Sequence, residues 1–183
     1  MIQLILNDEH LASALGIALA NCRRRLFIST ADVKNLRVPL GNQRCRGGKA
    51  GRASSIIEMF HKLSACKVDI CLLHAGVPSE NFLEELKADG VPQGLTMRRC
   101  PRVHAKAIIA DGKTMYLGSA NLTGAGLGAK SSRRRNFEAG IWTDELALID
   151  PVLDMLQSIW DAGQCGPCDR KAYCPCPLEE PHL

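Results

Sequence analysis

Aromatic residues are scarce in this chain, with two Trp, two Tyr and four Phe making up 4% of 183 residues. That shortage argues against a single-strand-binding platform, which stacks bases on ranks of aromatic rings. Long apolar runs are missing as well. The most apolar stretch, Leu11 to Ala20, is rich in alanine and about ten residues long, half of what a spanning helix needs. Asp8 and Glu9 stand before it, where a secretion signal would carry positive charge, so no signal peptide is expected. Nor does one charge sign dominate, since the net charge is only +4. The hydrophobic content of 46% supports an ordinary core without disulfides. A cytoplasmic setting is expected, where the nine cysteines are thiols or metal ligands.

What is present reads as alternating strands and helices. Asp8 is placed to cap a helix over residues 9–21, with Leu11, Leu15 and Leu19 on one face. Arg25 to Thr30 and Val68 to Leu73 are nearly continuous apolar runs, as buried parallel strands require. Between them a Gly- and Arg-rich loop, Val38 to Arg52, opens into a helix from Ala53 to Lys62 that turns Ile56, Ile57, Phe60 and Leu63 inward. That loop lacks phosphate-loop spacing and reads as substrate-contacting or merely flexible. Ser79 caps a helix through Asp89, and Leu95 to Cys100 is a further strand. The last strand falls at Phe137 to Trp142. Asp150-Pro151 suits the start of a helix reaching about Asp161, with Gly163 ending it. This pattern predicts an α/β sandwich with helices on both faces.

The most informative stretch is Val103 to Thr123, VHAKAIIADGKTMYLGSANLT. His104 and Lys106 lie two apart in a strand-like run and therefore share a face. An imidazole and an ammonium on an otherwise apolar strand are costly to bury without partners. Asp111-Gly112-Lys113 reads as a tight turn, and the strand after it, Thr114 to Leu117, delivers Gly118-Ser119-Ala120-Asn121 to the open end of the pair. The imidazole, ammonium, hydroxyl and carboxamide that could converge there suit a phosphodiester.

This spacing, with Asn136-Phe137-Glu138 downstream, resembles the signature of the phospholipase D superfamily. The resemblance implies a phospholipase D-like mixed β-sheet sandwiched between helices. It also implies metal-independent phosphodiester chemistry: the motif histidine attacks phosphorus, a second histidine protonates the leaving oxygen, and water releases the phosphohistidine. Carried over, His104 is nucleophile or acid, and Lys106 and Asn121 hold phosphate oxygens with Ser119 close by. Glu138 orients the imidazole. Asp111 belongs to the signature, but its odd offset from His104 suggests a structural role at the strand end. The other histidines, His10, His61, His74 and His182, have no HxK context. Single-motif members complete the site by dimerising, so a symmetric homodimer is expected with both His104 residues near its axis.

Basic residues cluster at Arg23 to Arg25, at Arg44, Arg46, Lys49 and Arg52, at Arg98, Arg99 and Arg102, and at Arg133, Arg134 and Arg135. Such clusters fit a phosphate-rich partner. Arg133 to Arg135 close a loop, Gly124 to Arg135, expected to be mobile and to rim the site, where it could meet a nucleic-acid backbone.

Residues 1–163 read as the catalytic domain and 164–183 as a short cysteine-rich C-terminal tail. In the tail, Cys165, Cys168, Cys174 and Cys176 fall within twelve residues, a metal-ligand pattern. Tetrahedral zinc is the simplest occupant. The CxxCxxxxxC element also resembles that of RecB-like iron–sulfur nucleases, with Cys176, Cys45 or Cys22 available as a fourth ligand. Cys66, Cys71 and Cys100 read as core residues. The expected function is a DNA-cleaving, homodimeric phosphodiesterase that needs no cofactor for catalysis. The alternatives are a phospholipid hydrolase, or a nucleic-acid-binding subunit of a larger complex.

Overall fold

The two apolar runs read as buried strands do pair in parallel, and the rest of the chain is laid out around them. A computed structural model describes residues 1–38, 53–174 and 176–180. Strand β1 (Ile2–Leu6) is followed by a π-helical segment (His10–Gly16) that runs into α1 (Ile17–Asn21), then β2 (Arg25–Thr30). The short strands β3 (Arg37–Val38) and β4 (Ser54–Ser55) pair with each other ahead of α2 (Ile56–Ala65). Next come β5 (Asp69–His74), α3 (Glu80–Asp89) and β6 (Leu95–Arg99). The hairpin of β7 (Lys106–Ala110) and β8 (Thr114–Gly118) leads to β9 (Ala139–Thr143) and α4 (Leu146–Trp160).

Seven strands form one sheet in the order β1-β9-β8-β7-β2-β5-β6. The β2, β5 and β6 strands are parallel, and the remaining neighbours are antiparallel. Alternation along β2 divides the core. Leu26 and Ile28 join the π-helical segment, α1, α2 and α3 on one face. Phe27 faces the other way, onto Ile149, Leu156 and Trp160 of α4, where the Phe27 and Trp160 rings meet edge-on at 5.4 Å. The expected mixed sheet between helical layers is therefore what the chain forms.

Several boundaries differ from expectation. Asp8 does not cap the first helix: its carboxylate is drawn out to Arg135 at 2.8 Å, and the segment starts from Glu9 without a side-chain cap. That helix is π-wound over His10–Gly16, which places the buried His10 ring edge-on to Tyr116 at 5.3 Å. Helix α2 begins at Ile56 rather than Ala53, because Ser55 and Glu58 form a reciprocal capping box. Ile56, Ile57, Phe60 and Leu63 are buried as expected. Helix α4 begins at Leu146, with Pro151 inside it. The buried Ile149 anchors the extra turn on the same face as Leu156 and Trp160. Strand β9 starts at Ala139, past a Phe137 that is 95% exposed. No helix among the described residues is long and apolar enough to cross a membrane.

Candidate active site

Because β7 runs antiparallel to β2, the start of β7 lies at the sheet edge where β2 ends. The end of β8 and the start of β9 meet there too, through the Lys106–Gly118 and Gly118–Gly140 pairs. His104 sits two residues upstream of β7, exposed at this edge. Its approach is pinned on both sides: Val103 is buried and its N–H reaches Cys100 O at 2.9 Å, and Ser29 Oγ donates to Ala105 O at 2.9 Å.

Lys106 is buried, and its Nζ lies 2.7 Å from His104 O and 3.1 Å from His104 Nε2. The two side chains do share a face, as their spacing requires. An ammonium only donates, so Nε2 is the acceptor in this contact. Burial pushes the Lys106 ammonium below the ordinary lysine range, and the charge of Glu138 partly offsets that. A cation so placed is weakly solvated and available to an anion.

Ser119 Oγ donates to Glu138 Oε2, and Ala139 N donates to Ser119 Oγ at 3.1 Å. Asn136 Nδ2 holds the other Glu138 oxygen at 2.9 Å. Glu138 is thus tied to Ser119 and Asn136. The expected Glu138–imidazole bond is not formed within this chain, where the carboxylate is held by Ser119 and Asn136. Asn121 Oδ1 accepts from Ala31 N at 3.0 Å and from Thr30 Oγ1 and Asp32 N at 3.3 Å. With the oxygen so committed, the amide's remaining capacity is its Nδ2 donor.

The glycine of the Gly118-Ser119-Ala120-Asn121 turn has a packing cause. A Cβ on Gly118 would stand 2.3 Å from the Tyr116 hydroxyl and 2.7 Å from Ala139 O, while one on Gly140 would meet the same ring at 2.5 Å. Tyr116 lies across both bare positions, and its hydroxyl accepts Ala120 N at 3.2 Å.

Asp111 is at the opposite end of β7 from His104 and touches none of these groups. Its carboxylate collects the backbone N–H groups of Arg23, Arg24 and Arg25 at 2.9, 2.8 and 2.9 Å, which fixes the start of β2. The strand-end structural role suggested by its offset is what the geometry displays.

The basic residues separate. Arg133 and Arg134 are exposed, whereas Arg135 is held by Asp8. The loop Gly124 to Arg135 is a series of turns, fastened by Leu127 N to Thr123 O (2.9 Å) and Asn136 N to Ala125 O (3.1 Å) around a buried Leu127. Arg44, Arg46, Lys49 and Cys45 lie outside the described residues. In the tail, Cys165, Cys168 and Cys174 line one cavity together with Cys100, but Cys176 is exposed and does not. Cys100, expected in the core, is only half-buried. Its nearness to the tail is a tertiary contact that spacing does not encode. Among the described residues, no three His, Cys, Asp or Glu side chains converge on one metal ion.

A family model described as "Cardiolipin synthase, PLD-like domain" matches residues 52–160, which include every residue of the motif. The chain belongs to the phospholipase D-like family. The phospholipase D-like fold is also seen in solved structures. NucT from Helicobacter pylori aligns with a TM-score of 0.61 at 13% identity, covering 88% of this chain and 96% of that one. Nuc, a phospholipase D family member from Salmonella typhimurium, aligns with a TM-score of 0.54 at 17% identity, covering 88% and 94%. TrmBL2, an archaeal chromatin protein with a novel mode of DNA binding, aligns with a TM-score of 0.51 at 12% identity, covering 87% of this chain and 52% of that one. At these identities the likeness is one of fold. No curated protein matches the chain.

Proposed function

We propose that this phospholipase D-like protein is a metal-independent phosphodiesterase that cleaves DNA as a homodimer. The observation that carries the reading is the Lys106 ammonium, buried and 3.1 Å from His104 Nε2. A lysine in that position can pass from the imidazole to a phosphate oxygen when substrate binds. This frees Nε2 to attack phosphorus and places a cation on the developing charge. Ser119 and the Asn121 amide supply neutral donors.

In the proposed reaction the Nε2–P bond forms as the P–O bond breaks. The leaving oxygen takes a proton from His104 of a second copy. Water then attacks phosphorus, returns a proton to that second imidazole and releases the Nε2–P bond. A second copy is needed because each chain carries one such histidine at the site. Apolar surface is available to it: Phe137 precedes Glu138 and is almost wholly exposed, and Ile2, Leu4 and Leu6 form an exposed stripe on the edge strand β1. Arg133 and Arg134 supply cations for a nucleic-acid backbone. The nucleic-acid reading is further supported by the DNA-binding neighbour TrmBL2.

The test is cleavage of end-labelled single- and double-stranded DNA in excess EDTA, wild type beside His104→Ala, with sedimentation of both. Cleavage by a dimeric wild type alone is expected. An active monomer would overturn the dimeric site, and cleavage that survives His104→Ala would overturn the nucleophile. The description of the matching family model favours one second reading, phosphatidyl transfer or hydrolysis. Turnover of anionic lipid vesicles without any on DNA would select it.

A further inference from the structure

The tail's cysteines do not act with the partner that sequence proximity offers. Cys165, Cys168 and Cys174 line a cavity of about 460 Å³ whose fourth cysteine is Cys100, at the end of β6. Cys176 is turned out to solvent, and only its carbonyl faces the group, 3.8 Å from Cys174 Sγ. Cys22 is at the opposite edge of the sheet, against Asp111. The tail is held in place here independently of any thiol. Arg99 N donates to Glu179 O at 3.0 Å, its guanidinium pairs with the Glu179 carboxylate, and Leu178 packs into the α4-side core.

We propose that Cys100, Cys165, Cys168 and Cys174 ligate a four-iron iron–sulfur cluster. Four thiols from two distant parts of the chain edge one cavity, and none is in a disulfide. A single zinc ion would need its sulfurs about 2.3 Å from a common point. The described side chains show no such convergence. A polynuclear cluster instead occupies volume and is held by four cysteines arranged around it. The surroundings suit an anionic centre. Arg102 and Lys171 line the cavity as counter-charges, and Met155 and Ile159 of α4 form an apolar wall.

The site adjoins the phosphodiesterase edge without sharing its residues. Cys100 N–H is bonded to His74 O at 2.8 Å, and Cys100 O accepts Val103 N. A ligand at Cys100 therefore fixes the root of the turn that presents His104. The assignment does not rest on the DNA-cleaving reading.

Full-length protein is purified without oxygen, reconstituted with ferrous iron and sulfide, and analysed for iron, acid-labile sulfide, zinc and visible charge-transfer absorption. About four iron atoms per chain are expected, lost by more than half in Cys100→Ser and retained in Cys176→Ser. Alkylation footprinting of wild type, with and without iron and sulfide, guards against a Cys100 variant that does not fold. Loading protects Cys100, Cys165, Cys168 and Cys174 and leaves Cys176 reactive. Absence of bound iron after reconstitution, one zinc per chain in its place, or loss in Cys176→Ser matching that in Cys100→Ser would overturn the assignment.

Discussion

Lys106 Nζ stands 3.1 Å from His104 Nε2, on a side chain otherwise shut away from water. The pairing brings the two motif groups together before any substrate arrives, and it implies that the lysine is needed as a charge rather than as a spacer. Lys106→Met is expected to lower kcat about a hundred- to a thousandfold, the usual loss for one donor to developing charge. Binding of DNA should be little affected. Stability should move in the other direction. The unfolded chain keeps this proton up to about 10.5, whereas the folded chain releases it at lower pH. In that window the unfolded state binds more protons, so wild-type stability rises with pH there, and the rise is absent from Lys106→Met. Urea denaturation across the alkaline range measures it.

Gly118→Ala should destabilise the protein by about 1–3 kcal/mol, the range for overpacking a filled interior. The new Cβ would meet Tyr116 Oη at 2.3 Å and Ala139 O at 2.7 Å. Adding Tyr116→Phe removes only the first clash, so the double variant should recover part of the loss. Full recovery in urea denaturation would show that the backbone there is slack.

Legibility differs by the range of the interaction. The apolar runs at Arg25–Thr30 and Val68–Leu73 announce buried strands because period and composition are local, and the boundaries of β2 and β5 agree with them within a residue. The contact of His104 with Lys106 agrees with the two-residue spacing of an extended chain, although His104 lies just ahead of β7. Cys100 cannot be read in the same way. Its place beside the tail cysteines depends on where α4 sets down the tail, which no spacing records. The misplaced helix starts have competing causes. Asp8 has a distant rival for its carboxylate in Arg135, and Pro151 is outweighed by the burial of Ile149. Resemblance assigns Glu138 to the imidazole, while its actual partners are its near neighbour Asn136 and the strand-paired Ser119.

Asp111→Asn should cost about 2–3 kcal/mol, because a carboxylate accepting several backbone N–H groups is replaced by an amide with a donor of its own. Burial works to raise this carboxyl, but the N–H groups of Arg25, Arg24 and Arg23 outweigh it and hold the group below the ordinary 3.8. Its contribution is therefore present above that value and lost as pH falls through the lower folded pKa. The variant should show a flatter acid limb in urea denaturation from roughly pH 5 to pH 2. Folded Asp111→Asn should retain kcat. Loss comparable to His104→Ala would return Asp111 to the chemistry.

Arg133→Ala with Arg134→Ala should weaken DNA binding uniformly across sequences and reduce the salt slope of log K by about 2, one unit for each phosphate no longer neutralised. Arg135→Ala should do less, since its guanidinium is already engaged by Asp8 at 2.8 Å. Equal effects from all three, measured by fluorescence anisotropy against salt, would show that the Asp8 pair opens on binding.

Glu138→Gln separates two roles for that carboxylate. Glu138 makes no bond to the imidazole, but its charge supports the Lys106 ammonium against the cost of burial. The amide can still accept from Ser119 or Asn136, so the local fold should survive. Removing the negative charge should lower the Lys106 pKa further. In urea denaturation across the alkaline range, the rise of stability with pH that Lys106 causes should then begin at lower pH in Glu138→Gln than in wild type. A carboxylate that orients the imidazole instead would leave that rise in place, and an unchanged rise would therefore assign Glu138 to His104 and not to Lys106.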